Sequence, residues 1–195
     1  ENADITATII INCPGKHKEL NNCLQSIKNN TSLNYNIIFI NTGAAKGALK
    51  LMKRLVNEHK DKKYSLIKKK KKSSLADSYN DALKIAAGEY LVLIHDDVVV
   101  PENWLSDMID CMDIDSETAL AGPISNNADG IQKSLDPGYQ SFDEFFDYSR
   151  KFREGNRHRR VPTRKLSGFC VMMKQEVVEK TGMFDEKFDT ETVMM

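Results

Sequence analysis

Tyr90-Leu91-Val92-Leu93-Ile94-His95-Asp96-Asp97 is the stretch that decides the fold. A tyrosine and an unbroken aliphatic run lead straight into a histidine and two adjacent aspartates. A short, wholly apolar run reads as a strand buried on both faces of a parallel sheet. Two neighbouring carboxylates are unsuited to a core, because an unpaired buried charge is very costly. They are therefore expected where the strand emerges into a cleft, and in open α/β sheets ligands bind at the carboxyl ends of the strands. A carboxylate pair there can hold a divalent cation, and the cation can hold a diphosphate. The alternative is a surface turn whose aspartates cap the helix after Pro101.

Upstream of this stretch, strand and helix patterns alternate. Ile5 to Ile11 is an apolar, β-branched run, and residues 17–29 carry Leu20, Cys23, Leu24 and Ile27 on one helical face. Tyr35 to Ile40 reads as a second strand, and residues 46–60 place Leu49, Met52, Leu55 and Val56 at helical spacing. Tyr64 to Ile67 is a short third strand. Residues 74–87 form a helix with Leu75, Tyr79, Ala82, Leu83 and Ala86 aligned, and Gly88 is a natural stop. Alternation at this spacing implies right-handed crossovers and an α/β fold with a parallel sheet.

Downstream, Pro101 is expected to open a helix through Met112, with Trp104, Leu105, Met108 and Ile109 inward. Thr118 to Ala121 reads as a short strand, and residues 125–140 are polar and rich in turn formers. Ser141 and Glu144 have capping-box spacing. Behind them Phe142, Phe145, Phe146 and Phe152 form a stripe read as core packing rather than a ligand platform. Residues 153–165 are basic and loop-like, Leu166 to Met173 reads as one strand, and a helix is expected from Gln175 to Thr181.

Composition sets bounds on function. The 195 residues suffice for one good-sized domain, and 41% hydrophobic with 29% charged residues is ordinary for a globular protein. Lys plus Arg and Asp plus Glu both number 28, so the chain lacks the basic excess of a general nucleic-acid binder. No apolar run approaches the roughly 18 residues needed to span a membrane. The acidic opening and the absence of a signal peptide predict a cytoplasmic location. Cys13, Cys23, Cys111 and Cys170 are scattered and read as free thiols of a reducing compartment.

Polar residues end the first strand at Asn12-Cys13, the second at Asn41-Thr42-Gly43 and the fourth at His95-Asp96-Asp97. If these strands are parallel neighbours, all these groups line one edge of the sheet. Asn41 offers both an acceptor and a donor to the edge of a nucleobase, or else makes a simple Asx turn. Gly43 lets backbone approach a ligand closely. No Gly-x-Gly-x-x-Gly follows the first strand and no Walker loop is present, so dinucleotide and P-loop readings are weak. The lysines from Lys68 to Lys72 read mainly as a solvated run, with one or two, Lys72 among them, candidates for phosphate or base contacts. The basic residues from Arg150 to Lys165 could meet an anionic acceptor, a diphosphate or a membrane surface, or form a mobile basic loop.

These residues together resemble a family. Ile9 to Ile11, Ile37 to Gly43, Ser78-Tyr79-Asn80, Ala86 to Tyr90 and Ile94-His95-Asp96-Asp97-Val98 look like the family 2 glycosyltransferases of the GT-A fold. Pro101 to Leu105, Ala121-Gly122-Pro123, Leu166 to Cys170 and Gly182-Met183-Phe184-Asp185-Glu186-Lys187-Phe188 extend the likeness in the same order. The resemblance implies a single GT-A domain, with a nucleotide-sugar-binding half at 1–100 and an acceptor half at 101–195, truncated at its C-terminus. It implies a nucleotide-diphosphate-sugar donor, a divalent metal (Mn2+ or Mg2+) and transfer with inversion. The acceptor would be a glycan, lipid-linked or protein hydroxyl, as in cell-surface polysaccharide biosynthesis, with the basic 150–165 segment offering peripheral contact at the inner face of the membrane.

It also implies roles. Asp97 would be the direct metal ligand. Asp96 would lie near the ribose or the sugar. His95 would stand where relatives carry the first Asp of Asp-x-Asp, resembling a bacterial His-x-Asp version that serves both metal and nucleotide. Asn41 occupies the place of the Asp that contacts the base, and Asn12, Gly43 and Asn80 join the nucleotide-binding candidates. Asn12-Cys13-Pro14-Gly15 and Asn41-Thr42-Gly43-Ala44 depart from the usual sequences there. The family's catalytic base is an acidic residue in a Glu-Asp motif shortly after Phe188. It is expected beyond Met195, with Glu191 the second choice within the chain. The rival readings are a nucleotidyltransferase on a similar scaffold and a non-catalytic nucleotide- or glycan-binding domain.

Overall fold

Four parallel strands carry the first half of the chain: β1 (Ala7–Cys13), β2 (Tyr35–Asn41), β3 (Ser65–Lys68) and β4 (Tyr90–His95). The computed structural model describes residues 5–61, 63–69, 73–128, 130–134, 138–157, 159–187 and 192–194. Helices α1 (His17–Asn30), α2 (Lys46–Glu58) and α3 (Leu75–Leu83) make the crossovers. After β4 come α4 (Trp104–Asp113), β5 (Leu120–Ala121), α5 (Phe142–Gly155), β6 (Lys165–Ser167), β7 (Cys170–Lys174), α6 (Gln175–Thr181) and β8 (Thr192–Met194). β7 adds antiparallel to β4, giving a six-stranded sheet of order β3-β2-β1-β4-β7-β5, while β6 and β8 pair separately.

Both faces of this mostly parallel sheet are covered, which is why the strands read as continuous apolar runs. Ile9, Ile11, Phe39, Val92 and Ile94 pack with Leu20, Cys23 and Ile27 of α1, Met52 of α2 and Trp104, Leu105 and Met108 of α4. Ile10, Ile38, Ile40, Leu91 and Leu93 point the other way, onto Tyr79, Ala82 and Leu83 of α3. Among the described residues no helix is long and apolar enough to cross a membrane.

Several boundaries differ from the sequence reading, each for a tertiary reason. β1 starts at Ala7, where both neighbouring strands begin, and runs to Cys13, because Asn12 and Cys13 still have partners on β2. α3 stops at Leu83 rather than at Ala87, since the Ala87 N–H leaves the helix and donates to the Thr8 hydroxyl at 3.0 Å. α4 begins at Trp104 rather than Pro101, because Asn103 adopts the left-handed conformation at φ 60° that few residues tolerate. The single strand expected over Leu166–Met173 is broken by a turn at Gly168-Phe169.

The largest correction concerns α5. Its aromatic stripe is not core: no residue of α5 is buried, and Phe142 is 53% exposed. Both sheet faces are already taken, so α5 lies outside the layers. Its rings pack on one another, Phe145 against Phe146 and Phe152 against Tyr148, and on Tyr139 ahead of the helix, which meets Phe145. Arg153 ties it to Asp107 of α4. Arg150, Lys151 and Arg153 are therefore helical rather than part of a loop. The Ser141 hydroxyl caps the Glu144 N–H at 3.3 Å, but Glu144 reaches back to the Gln140 N–H, so the reciprocal half of the box is shifted by one residue.

Gly88 lets the chain turn into β4. Its φ is +99°, and a Cβ there would lie 2.7 Å from the Ile5 carbonyl oxygen. Gly88→Ala is expected to cost about 1–3 kcal/mol of stability, measured by urea unfolding. An unchanged midpoint would show that this turn relaxes freely.

Candidate functional site

The register of the sheet brings the polar strand ends together. Cys13 lies beside Asn41 and Asn12 beside His95, so all three polar ends stand on one edge. Asn12 is buried, and its Oδ1 accepts the Thr42 hydroxyl at 3.0 Å. The Asn41 Oδ1 accepts the N–H groups of Gly43 at 3.1 Å and Ala44 at 2.9 Å, an Asx turn. Gly43 sits at φ +141° with open space where a Cβ would be, so its backbone conformation, and no crowding in the chain itself, calls for glycine.

The two carboxylates after β4 have opposite environments. Asp97 is exposed, whereas Asp96 is only 3% exposed. This corrects the expectation that both face a cleft. Asp96 tolerates burial because its Oδ2 accepts the Gly15 N–H at 3.0 Å. Its own N–H donates to the Asn12 carbonyl at 3.2 Å. Burial still holds the Asp96 carboxyl above its ordinary range, a shift the Gly15 N–H opposes and the nearby charges of Asp97 and Glu19 increase. Gly15 is a contact of the site that sequence reasoning missed. A Cβ at Gly15 would lie 2.8 Å from Asp96 Oδ2. The signal available was a glycine in the loop after the first strand, noted only as part of a departure from the usual family sequence.

The His95 N–H donates to the Phe169 carbonyl at 3.0 Å, which fastens the end of β4 to the turn before β7. The His95 Nε2 is buried and has no hydrogen-bond partner. The side-chain atoms at the end of β4 with lone pairs a cation could use are the buried His95 Nε2, the buried Asp96 carboxylate and the exposed Asp97 carboxylate. Among the described residues no cluster of three or more His, Cys, Asp or Glu side chains forms a self-contained metal site.

Other expected residues lie further off or have different engagements. Asn80 is buried on α3, and the backbone of Phe184 takes both ends of its amide: Nδ2 donates to the carbonyl and Oδ1 accepts the N–H, each at 2.9 Å. Lys69 is held by Asp77 at 2.7 Å and Asp81 at 2.6 Å, so its charge is answered within the chain. Lys72 and Glu191 lie outside the described residues. All four cysteines are free, and Cys13, Cys23 and Cys170 are buried. Burial raises these three thiols, that of Cys170 to about 12, so they behave as small apolar side chains rather than nucleophiles.

Comparison with known proteins bears on this edge. A family model described as "Glycosyl transferase family 2" matches residues 8–182. The mannosyltransferase PcManGT from Pyrobaculum calidifontis, in complex with GDP-Man and Mn2+, aligns with a TM-score of 0.68 at 16% identity, covering 97% of this chain and 50% of that one. TarS 1–349 from S. aureus aligns with a TM-score of 0.63 at 11% identity, covering 95% of this chain and 52% of that one. At such identities the likeness is one of fold, and the chain spans about half the length of these two structures. No curated protein matches the chain in sequence.

Proposed function

Because the chain belongs to the family 2 glycosyltransferases, we propose that it moves a sugar from a nucleotide-diphosphate donor to an acceptor hydroxyl, with inversion and with a divalent cation at the diphosphate. The observation that carries this reading is the convergence of Asn12, Asn41 and the His95–Asp97 segment on one sheet edge. Binding of GDP-Man and Mn2+ by a protein of the same fold supports it.

The residues present fit the cation. Mg2+ is commonly held by one or two carboxylates, with substrate phosphate oxygens and water completing the shell. Asp97 would be that carboxylate, and the orphaned His95 Nε2 would be a second donor. When bound, the ion neutralises charge that builds on the leaving diphosphate. Asn41 meets the base as a donor, because its carbonyl oxygen is already taken by Gly43 and Ala44. Asn12, whose oxygen accepts the Thr42 hydroxyl alone, keeps its amide N–H groups and one oxygen lone pair. An acidic base after the Phe184–Glu186 turn removes the acceptor proton, and Asn80 holds that turn in place. The basic side chains from Arg150 to Lys165 support peripheral contact with an anionic membrane on the cytoplasmic side.

Calorimetric titration with GDP and UDP tests the reading. Affinity for at least one nucleotide is expected to rise on adding Mn2+. Equal affinity with and without metal for both nucleotides would sink the assigned cation site. For Asn80→Ala, loss of two buried hydrogen bonds is expected to cost about 1–3 kcal/mol of stability and to lower turnover while nucleotide affinity holds. A fall in affinity with turnover intact would place Asn80 at the nucleotide instead.

A further inference from the structure

Gln132 is a buried amide outside the edge just described, and it joins its own turn to the nearby Pro123–Ser125 segment and to Ser167, 35 positions away. It ends a single 3-10 turn (Gly130–Gln132) and is 5% exposed. Its Nε2 donates to the Pro123 carbonyl at 2.9 Å, and its Oε1 accepts the Ser167 N–H at 2.6 Å. Its own carbonyl accepts the Ser125 N–H at 2.8 Å. Gly122 leaves the room for this: a Cβ there would lie 2.9 Å from Gln132 Nε2 and 3.3 Å from the Cys170 carbonyl oxygen. Pro123 presents an acceptor and Ser167 a donor, so only a neutral amide of this length satisfies both.

The turn it holds reaches the candidate site. Two residues after Ser167, the Phe169 carbonyl accepts the His95 N–H at 3.0 Å, and Cys170 pairs with Ile94. We propose that Gln132 is a positioning residue for sugar transfer, whose amide locks the Gly122-Pro123 segment to Ser167 and the Gly168-Phe169 turn beside the end of β4. The proposal rests on the glycosyltransferase reading. It separates two properties of the site. The β4–β7 ladder, from Tyr90 with Lys174 to Ile94 with Cys170, is built without the Gln132 side chain, so Asn12 and Asn41 are expected to keep their places, and the His95 end of β4, fastened to Phe169, is what shifts. Without it the Ser167–Phe169 stretch loses its tether, and with it the support of the His95 backbone beside the proposed cation site.

The test uses Gln132→Met, which keeps length and removes both polar ends, and Gln132→Glu, which keeps the acceptor for Ser167 but sets a carboxylate against the Pro123 carbonyl. Both are made in the natural full-length protein. Transfer kcat is expected to fall at least about tenfold in each, since small misplacements are costly, with nucleotide affinity in the absence of metal unchanged and secondary structure by circular dichroism intact. Wild-type kcat in Gln132→Met overturns the proposal. So does a parallel fall of kcat, nucleotide affinity and folded fraction, which is what a merely structural amide would give. A wild-type protein that neither binds nucleotide nor transfers sugar fails the parent reading, and the proposal with it.

Discussion

Asp97→Ala is expected to abolish the Mn2+-dependent gain in nucleotide-diphosphate affinity and to lower sugar transfer by about 10²–10³-fold, the range seen when one preorganised electrostatic group is removed from a reacting centre. The loss should be functional rather than structural. Asp97 is exposed, so its removal leaves no buried partner stranded, and surface substitutions generally stay within about 0.5 kcal/mol. Its neighbour Asp96 is buried under Gly15 and remains to hold the loop. The measurements are calorimetry with and without Mn2+, a transfer assay and urea unfolding. Retained metal dependence in the variant would move the cation away from Asp97. A large stability loss would mean that Asp97 is a structural group and that its proposed role rests on the wrong property.

Much of the fold was legible because the sheet is covered on both faces. Parallel strands buried on both sides give unbroken apolar runs, and Ile37 to Ile40 and Leu91 to Ile94 announce themselves by that rule. What failed was whatever a distant contact or a single unusual backbone conformation decides. The Thr8 hydroxyl takes the Ala87 N–H that α3 would have used. Asn103 starts α4 late by adopting a left-handed backbone. The stripe on α5 has the spacing of a buried helix face, but periodicity reports only that a face is apolar, not that a surface is free to receive it.

The site was legible in part for a related reason. Polar residues at the carboxyl ends of parallel strands must share an edge, so Asn12, Asn41 and His95 could be grouped before any coordinates. Their hydrogen bonds could not be read off. The Asn80 amide finds its partner 104 positions away at Phe184, and Gln132 finds one 35 positions away at Ser167. No local pattern marks either one. Asp96 was misplaced because the cost of burying a carboxylate was counted without its partner, the backbone N–H of Gly15.

The Gly15–Asp96 contact carries the second large expected effect. Gly15→Ala puts a methyl 2.8 Å from Asp96 Oδ2 and 3.0 Å from Oδ1, closer than a Cβ sits in real packing. The carboxylate cannot swing away without leaving the N–H that offsets its burial, and the loop cannot lift freely, because the Gly15 carbonyl also accepts the Ala45 N–H before α2. Overpacking and the strained or lost charge-assisted bond together should cost about 2–4 kcal/mol. Nucleotide affinity should fall as well, since any displacement of Asp96 is passed to Asp97. A double-mutant cycle with Asp96→Ala tests this argument. Removing the carboxylate makes room for the methyl, so Gly15→Ala should cost less in that background, with a coupling of about 0.5–3 kcal/mol. Strict additivity in urea unfolding would mean that the methyl is accommodated elsewhere, and that the glycine is there for its backbone and not for the carboxylate beneath it.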